Sequence, residues 1–425
     1  MKNIKAIYGI LFLFKKIISY ITTIFSACIL ANFLSVFFIW YRIKAKIFKK
    51  NIIFVLDFDR FREDIGILRK NTNIYYVNFP PWLQDKIIGI LDISRMSQKQ
   101  EWLSRFILCL CNAINSIGFI SAGMHYKRHE IWEKSTIFSK KYFYCLHREG
   151  IGADHDMVMR ISVSKKRKFQ GSILMVGTET LKESLVAQSY LPSDKIIVTG
   201  MPRFDKIYNY NNSEFNHVGE KNTVLLFSFF IGFFSNKDAG LYPVQGGFRK
   251  LFDQVHSAVA LFAVNNPNIN VIIKMKWYEG SAKENVDNAI IKGTGVLPDT
   301  IKNLKIIDDT PAQELIKQSS VVIGFNSTTV IESILYNKKV IIPSFAEASE
   351  KKNMNDVFYS NQADYFYRAN SKDDLIDLIE NCYYNKNSLL EADESFINET
   401  IGPYDGKVCS RIEDIIISGK DKSYN

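Results

Sequence analysis

From residue 51 onward, short apolar runs alternate with longer stretches whose apolar residues recur at helical spacing. The runs at 52–56, 74–77, 117–122, 143–146, 173–176 and 195–199 are rich in Val, Ile and Phe and too short for helices. A polar stretch at 209–221 interrupts the rhythm, as a linker does. A second set of runs follows at 224–229, 270–273, 304–307, 321–325, 340–342 and 363–367. Helices are predicted at 102–114, 248–264, 312–318 and 371–382; in the second of these Leu251, Val255, Val259 and Phe262 share one face. Strands that are apolar throughout, rather than at every second residue, are buried on both faces, as parallel sheets flanked by helices are. The pattern therefore predicts an α/β chain of two doubly wound, Rossmann-like domains, 51–208 and 222–395, facing a cleft. Residues 396–425 follow the second domain, and no internal sequence repeat is visible.

The clearest strand–helix–strand unit is 320–343. Val321 to Phe325 reads as a buried strand. Asn326, Ser327 and Thr328 are helix-capping types, and Val330, Ile331, Ile334 and Leu335 repeat at helical spacing. Asn337 is a stop, and Val340 to Ile342, closed by Pro343, is the next strand. The loop brings hydroxyls and backbone N–H groups to a helix N-terminus, whose partial positive charge suits a phosphate. Glu332 lies one turn further in, where a carboxylate can accept hydrogen bonds from ribose hydroxyls. The same spacing also describes an ordinary capped helix in a parallel sheet.

In doubly wound sheets, ligand-facing residues collect in the loops after the carboxyl ends of strands. His147-Arg148-Glu149-Gly150 follows 143–146, Gly177-Thr178-Glu179-Thr180 follows 173–176, and Lys274-Met275-Lys276 follows 270–273. Lys274 and Lys276 alternate on a strand end and so project to one side. Asp57-Phe58-Asp59 ends the first strand, too early in the chain to be a metal–nucleotide motif, although one of its carboxylates can face the cleft. His125 and His129 have the i, i+4 spacing of a zinc pair on a helix, but no third ligand accompanies them, and a solvated face is the expectation. The basic run 165–168 is expected to be a solvated loop. No metal site is predicted.

The hydroxyl pair, the apolar pair, Glu332 and the closing Val340-Ile341-Ile342-Pro343 resemble the nucleotide-binding segment of GT-B glycosyltransferases. The likeness is to bacterial surface-polysaccharide enzymes: capsule synthesis proteins, Kdo- and sialyl-transferases, and CDP-glycerol polymer transferases. It extends over residues 140–415. Thr199-Gly200-Met201-Pro202-Arg203-Phe204-Asp205 resembles the motif that closes the N-terminal domain of capsule and CDP-glycerol enzymes. Asp405-Gly406-Lys407-Val408-Cys409-Ser410-Arg411-Ile412 resembles their ending, on a final helix that in GT-B folds crosses back to the N-terminal domain.

The resemblance implies transfer of a sugar from a CMP-, UDP- or CDP-linked donor to a lipid-linked or membrane-held glycan acceptor, in capsule or lipopolysaccharide synthesis. Asn326, Ser327, Thr328 and Glu332 would hold the nucleotide. Lys274 and Lys276 would meet the leaving phosphate, where related enzymes carry a cation. Glu149-Gly150 resembles the acid and glycine of GT-B sialyltransferases, in which such an acid is the general base; Arg148 stands where those enzymes carry a further acid. Glu149, with His147 as second choice, would therefore take the acceptor's proton. With the charge supplied by the protein, no metal or cofactor is implied. A CDP-polyol phosphotransferase, a sugar-nucleotide epimerase and a non-catalytic GT-B scaffold in a polysaccharide synthase are the alternatives.

Charge changes the picture at one end of the chain. The net charge is +10, but nine of the 54 Lys and Arg lie in residues 1–50, which contain no Asp or Glu, leaving 45 basic against 44 acidic side chains elsewhere. A nearly neutral body excludes a nucleic-acid binder, which carries its charge on the folded domain. Residues 17–41 are uncharged and end in Trp40-Tyr41-Arg42, so 1–50 is expected to associate with a membrane, either spanning it or lying on its surface. Serines, threonines and Asn32 dilute the segment, and Lys15-Lys16 interrupt the apolar run before it, which weakens the spanning form against the surface one. The six cysteines are scattered, as free thiols in a reducing compartment are. The cytoplasmic side of the inner membrane is the expected location.

Overall fold

The computed structural model describes residues 51–79, 116–124, 129–138, 141–148, 168–213, 222–231, 247–275, 282–350, 365–385 and 392–422, with isolated positions at 36–47 and 351–359. The predicted helix 102–114, most of 17–41, His125, Glu149 and Lys276 lie outside the described residues.

The first half is a six-stranded parallel sheet in the order β2-β1-β3-β4-β5-β6. Its strands are β1 (Asn51–Val55), β2 (Ile74–Asn78), β3 (Ser116–Ser121), β4 (Tyr142–Leu146), β5 (Ile173–Val176) and β6 (Ile196–Val198). The pleat sends alternate residues to opposite faces. Ile53 and Val55 pack with Phe61, Ile65 and Leu68 of helix α1 (Phe58–Asn71) on one face. Ile52, Phe54 and Leu56 pack with Trp132 of α2 (Glu130–Phe138) and with Leu181 and Leu185 of α3 (Glu179–Ala187) on the other. Both faces are covered, which is why the sequence runs are apolar throughout. Helix α4 (Pro202–Asn211) closes this half.

The second half is another six-stranded parallel sheet, ordered β12-β11-β10-β7-β8-β9. It comprises β7 (Thr223–Phe227), β8 (Asn270–Lys274), β9 (Leu304–Ile307), β10 (Val321–Ile323), β11 (Lys339–Pro343) and β12 (Tyr367–Ala369). Counted from its own first strand, this is the 3-2-1-4-5-6 order of dinucleotide-binding sheets. Helix α5 (Arg249–Asn265) covers one face through Leu251, Phe252, Val255, Val259 and Phe262, the face expected from its sequence. Helices α6 (Ala282–Thr294) and α9 (Lys372–Tyr384) lie beside α5. Helices α7 (Ala312–Gln318) and α8 (Thr329–Leu335) take the opposite face. The last strand begins at Tyr367, later than the expected 363–367, because it pairs Tyr367–Ala369 with Ile341–Pro343, and Ser371 then caps α9 by accepting from the Asp374 N–H.

Helix α10 (Glu394–Thr400) leads to α11 (Val408–Lys422), which packs on the first half. Two sequence motifs meet here. The carboxylate of Asp205 accepts from the backbone N–H groups of Val408 (3.0 Å) and Cys409 (2.8 Å), capping α11 from a position 203 residues upstream. Arg411 donates to the Thr199 carbonyl and is bidentate on Asp405, whose carboxyl it holds below the ordinary range. Gly402 makes the approach possible: its φ is +80°, and a Cβ there would lie 1.8 Å from the Gly177 carbonyl oxygen. The two motifs thus form a clasp between the last helix and the first sheet.

Among the described residues no helix is long and apolar enough to cross a membrane. The described positions at 36–47 are helical, and Val36, Ile39, Trp40, Ile43 and Ile47, at helical spacing, are 49–70% exposed. Cys145, Cys382 and Cys409 are free and buried.

Candidate functional site at the carboxyl edges of the two sheets

A doubly wound sheet binds ligands where the strand order reverses and successive helices depart to opposite faces. In the second half that point lies between β7 and β10. Helix α5 leaves β7 for one face and α8 leaves β10 for the other. The loop after β10 carries the predicted nucleotide residues. Gly324 lets α8 start hard against the strand, since a Cβ there would sit 2.7 Å from Val330 Cγ2. Asn326 takes a left-handed φ of 49°, and 326–329 are half-buried. The helix begins at Thr329. Thr328 makes no side-chain cap, and Ser327 serves instead, with its Oγ 2.8 Å from Thr329 Oγ1 and accepting from the Thr329 N–H. The Tyr359 hydroxyl donates to the Ser327 carbonyl, fixing the loop from below.

Opposite this loop, at the end of β7, Ser228 meets His256 of α5. The imidazole is fully buried. Its Nδ1 lies 2.8 Å from the Phe252 carbonyl, which can only accept, so Nδ1 carries the proton and Nε2 accepts from the Ser228 hydroxyl at 3.0 Å. Burial pushes the His256 pKa down to about 4, so the ring is neutral near pH 7. No sequence signal joined these residues, which are 28 positions apart.

Lys274 ends β8 on the same edge, two strands from β10 and roughly 10 Å away by strand spacing. Its ammonium donates to the backbone carbonyls of Met275 and Asp308 at the ends of β8 and β9. Burial lowers its pKa, opposed by the nearby Asp308 and Asp309. Glu332 turns away from the loop. Its carboxylate is buried against Arg203 (3.5 Å) and Gln313 (3.5 Å), and burial raises its pKa despite the guanidinium beside it.

Arg203 joins the halves. From the start of α4 it reaches Asp64 of α1 at 3.2 Å on one side and Glu332 of α8 on the other, while Arg148, after β4, also contacts Asp64 at 3.2 Å. Asn211 donates to the Leu335 carbonyl, and Lys317 sits 4.0 Å over the Tyr210 ring, which packs edge-on to Tyr336. The proline-arginine motif is therefore spent on joining the two sheets and, through Asp205, on the clasp.

In the first half the order reverses between β1 and β3, where α1 and α2 leave for opposite faces. Asp57 begins α1 and His129 lies at the start of α2. His129 Nε2 is 2.6 Å from Asp57 Oδ2. The expected solvated face at His129 is corrected: the ring is fully buried beside Phe143, because α2 packs its first turn onto the sheet. Asp59 is exposed, near Arg62. His147, after β4, is fully buried, and its backbone N–H donates to the Met175 carbonyl. Among the described residues no group of three or more His, Cys, Asp and Glu is placed to hold a metal.

No family model and no curated protein matches the sequence. Among solved structures the chain is similar to a UDP-N-acetylglucosamine 2-epimerase, with 12% identity, covering 88% of this chain and 97% of that one at a TM-score of 0.51. It is also similar to the wall teichoic acid polymerase TagF, with 11% identity, covering 88% and 90% at a TM-score of 0.51. Both likenesses extend over the two sheets together, and they show that this chain has the GT-B fold.

Proposed function

We propose that the protein is a glycosyltransferase of surface-polysaccharide synthesis, moving a sugar from a nucleotide-activated donor to a glycan held at a membrane. The observation that carries this reading is the second sheet's reversal point, where the half-buried loop 326–329 follows β10 and Ser228 follows the neighbouring strand β7. Such a crevice presents hydroxyls and backbone N–H groups to a diphosphate, and negative charge grows on that diphosphate as the sugar leaves. Lys274 contributes positive charge along the same edge, and Lys276 follows it in sequence. The acceptor's proton goes to the carboxyl edge of the first sheet, to which His147 and Glu149 belong by sequence. The exposed apolar stripe Val36, Ile39, Trp40, Ile43 and Ile47, set among basic residues without acidic ones, supports an acceptor at an anionic membrane surface. Transfer of a polyol phosphate by the same geometry is the second reading, favoured by the likeness to a teichoic acid polymerase.

The test is a thermal-shift panel of CMP, CDP, UDP, GDP and ADP. A nucleotide at a hundredfold its Kd adds about 2.7 kcal/mol, a rise of several degrees. Changing Ser327 and Thr328 together to Ala should weaken the best nucleotide by about 1–3 kcal/mol, the scale of hydrogen bonds to charged groups. A folded protein stabilised by none of the five would sink the reading; an unchanged affinity in the double variant would move the site off this loop.

A further inference from the structure

The pair at the first sheet's reversal point has features that packing does not account for. Asp is a favoured helix-capping residue, and Asp57 stands at the N-cap of α1, yet its side chain makes no cap bond. Its backbone is instead left-handed, with φ 55° and ψ 42°, a conformation that is strained for a residue other than glycine. What this turn achieves is to aim the carboxylate at His129, 72 positions away. The pair straddles the point where α1 and α2 part. Seven residues further along α1, Asp64 belongs to the cluster that ties this half to the donor half through Arg203. Within the pair the imidazole is fully buried and the carboxylate is nearly so, with 6% of its side chain exposed.

We infer that Asp57 is the general base of the transfer and that His129 is its positioning residue; this rests on the transferase reading above. The His129 Nε2–H donates to Asp57 Oδ2 and fixes the plane of the carboxylate. The acceptor hydroxyl gives its proton to the Asp57 carboxylate. The oxygen's electron pair forms the new bond to the sugar's anomeric carbon, and the bond from that carbon to the nucleotide's phosphate breaks, its electron pair leaving with the phosphate. The Asp57 proton then passes to solvent. His147 is fully buried, whereas the Asp57 carboxylate keeps a 6% exposed edge at which a hydroxyl can meet it.

The experiment measures nucleotide release from UDP-N-acetylglucosamine, CDP-glycerol and a CMP-linked sugar by the full-length protein. Water serves as acceptor, so no glycan need be known. Asp57→Asn should lower kcat by about 10²–10⁴ with donor KM and nucleotide affinity unchanged, since the donor contacts lie in the other half. His129→Leu should lower kcat less, and His129→Gln, whose amide can donate to Oδ2, should recover part of the loss. An Asp57→Asn protein within threefold of wild type overturns the inference, as does one that loses nucleotide affinity in step with kcat. Where Asp57→Asn does not fold, equal kcat in the Leu and Gln variants of His129 overturns it. A wild type that binds nucleotide but releases none also overturns it, whereas one that binds no nucleotide removes the transferase reading itself.

Discussion

At the carboxyl end of β1 a buried histidine lies against a carboxylate; at the carboxyl end of β7 a buried histidine lies against a hydroxyl. The two sites occupy equivalent places in their sheets, each at the reversal of strand order with helices departing to opposite faces. Their chemistry differs because their partners differ. Beside His129, the partner is a carboxylate, with Asp57 Oδ2 2.6 Å from Nε2. Beside Ser228 and the Phe252 carbonyl, a second proton on His256 would have neither a carboxylate in contact nor water, and burial keeps the ring neutral. The first site sets a carboxylate against its ring, while the second presents a fixed dipole. The proposed transfer would use that division, with deprotonation on one side and an unchanging surface for phosphate on the other.

The comparison is tested most severely by separating the halves. Arg203→Met keeps most of the side chain's bulk but leaves Asp64 and Glu332 buried against each other's domain without their shared cation. Breaking a buried pair in this way costs about 3–5 kcal/mol, which urea denaturation would read directly. A loss below about 1 kcal/mol would place the cluster with solvent-screened pairs and leave the two edges joined by packing alone.

Acid distinguishes the two histidines. Unfolded His256 takes up a proton near pH 6.5, whereas the folded ring does so at about 4. Between those values the unfolded state binds more protons, so stability falls as pH falls, by about 3 kcal/mol across the window. His256→Gln removes the titration and should flatten this part of the stability–pH curve relative to wild type. If the acid loss persists undiminished in that variant, His256 is not its origin and the contrast fails.

A smaller effect sharpens the boundary of the first region. Asp205→Ala removes the cap of α11 and should cost about 0.5–2 kcal/mol. Faster amide exchange at Val408 and Cys409, with nucleotide affinity unchanged, would confine the damage to the clasp.

The sequence makes the strands legible because burial on both faces removes polar residues from them, as 52–56 and 340–342 show. The helix α5 is legible because its apolar face keeps one period over its whole length. What lies beyond reach is pairing across distance. Along the chain Asp57 stands with Asp59 and His129 with His125, because sequence offers only neighbours. The fold instead takes one residue from each pair and sets them 2.6 Å apart. Glu332 shows the same limit: its spacing after Ser327 suits a ribose, but Arg203, 129 positions upstream, is where its carboxylate lies. Arg203 and Asp205 stood out by resemblance, and only the packing of α4 and α11 shows that they join elements. For Ser228 and His256 nothing in the local pattern marks either residue.

The clasp has a consequence for the order in which the molecule is made. Tyr144, Val408, Ile412 and Ile416 belong to one buried cluster, and the Tyr144 hydroxyl donates to the Ile416 carbonyl. A ribosome that has reached Asp205 must still add 203 residues to reach Val408, the first residue of the helix that completes this face. At 5–20 residues per second that is roughly 10–40 s, ample for strands to pair but with the part of the face over β3 and β4, beside α1 and α4, still uncovered. The first half therefore cannot mature as an autonomous N-terminal unit during synthesis, and it waits for the emergence of the last helix with a surface that a chaperone or a neighbouring nascent chain can bind.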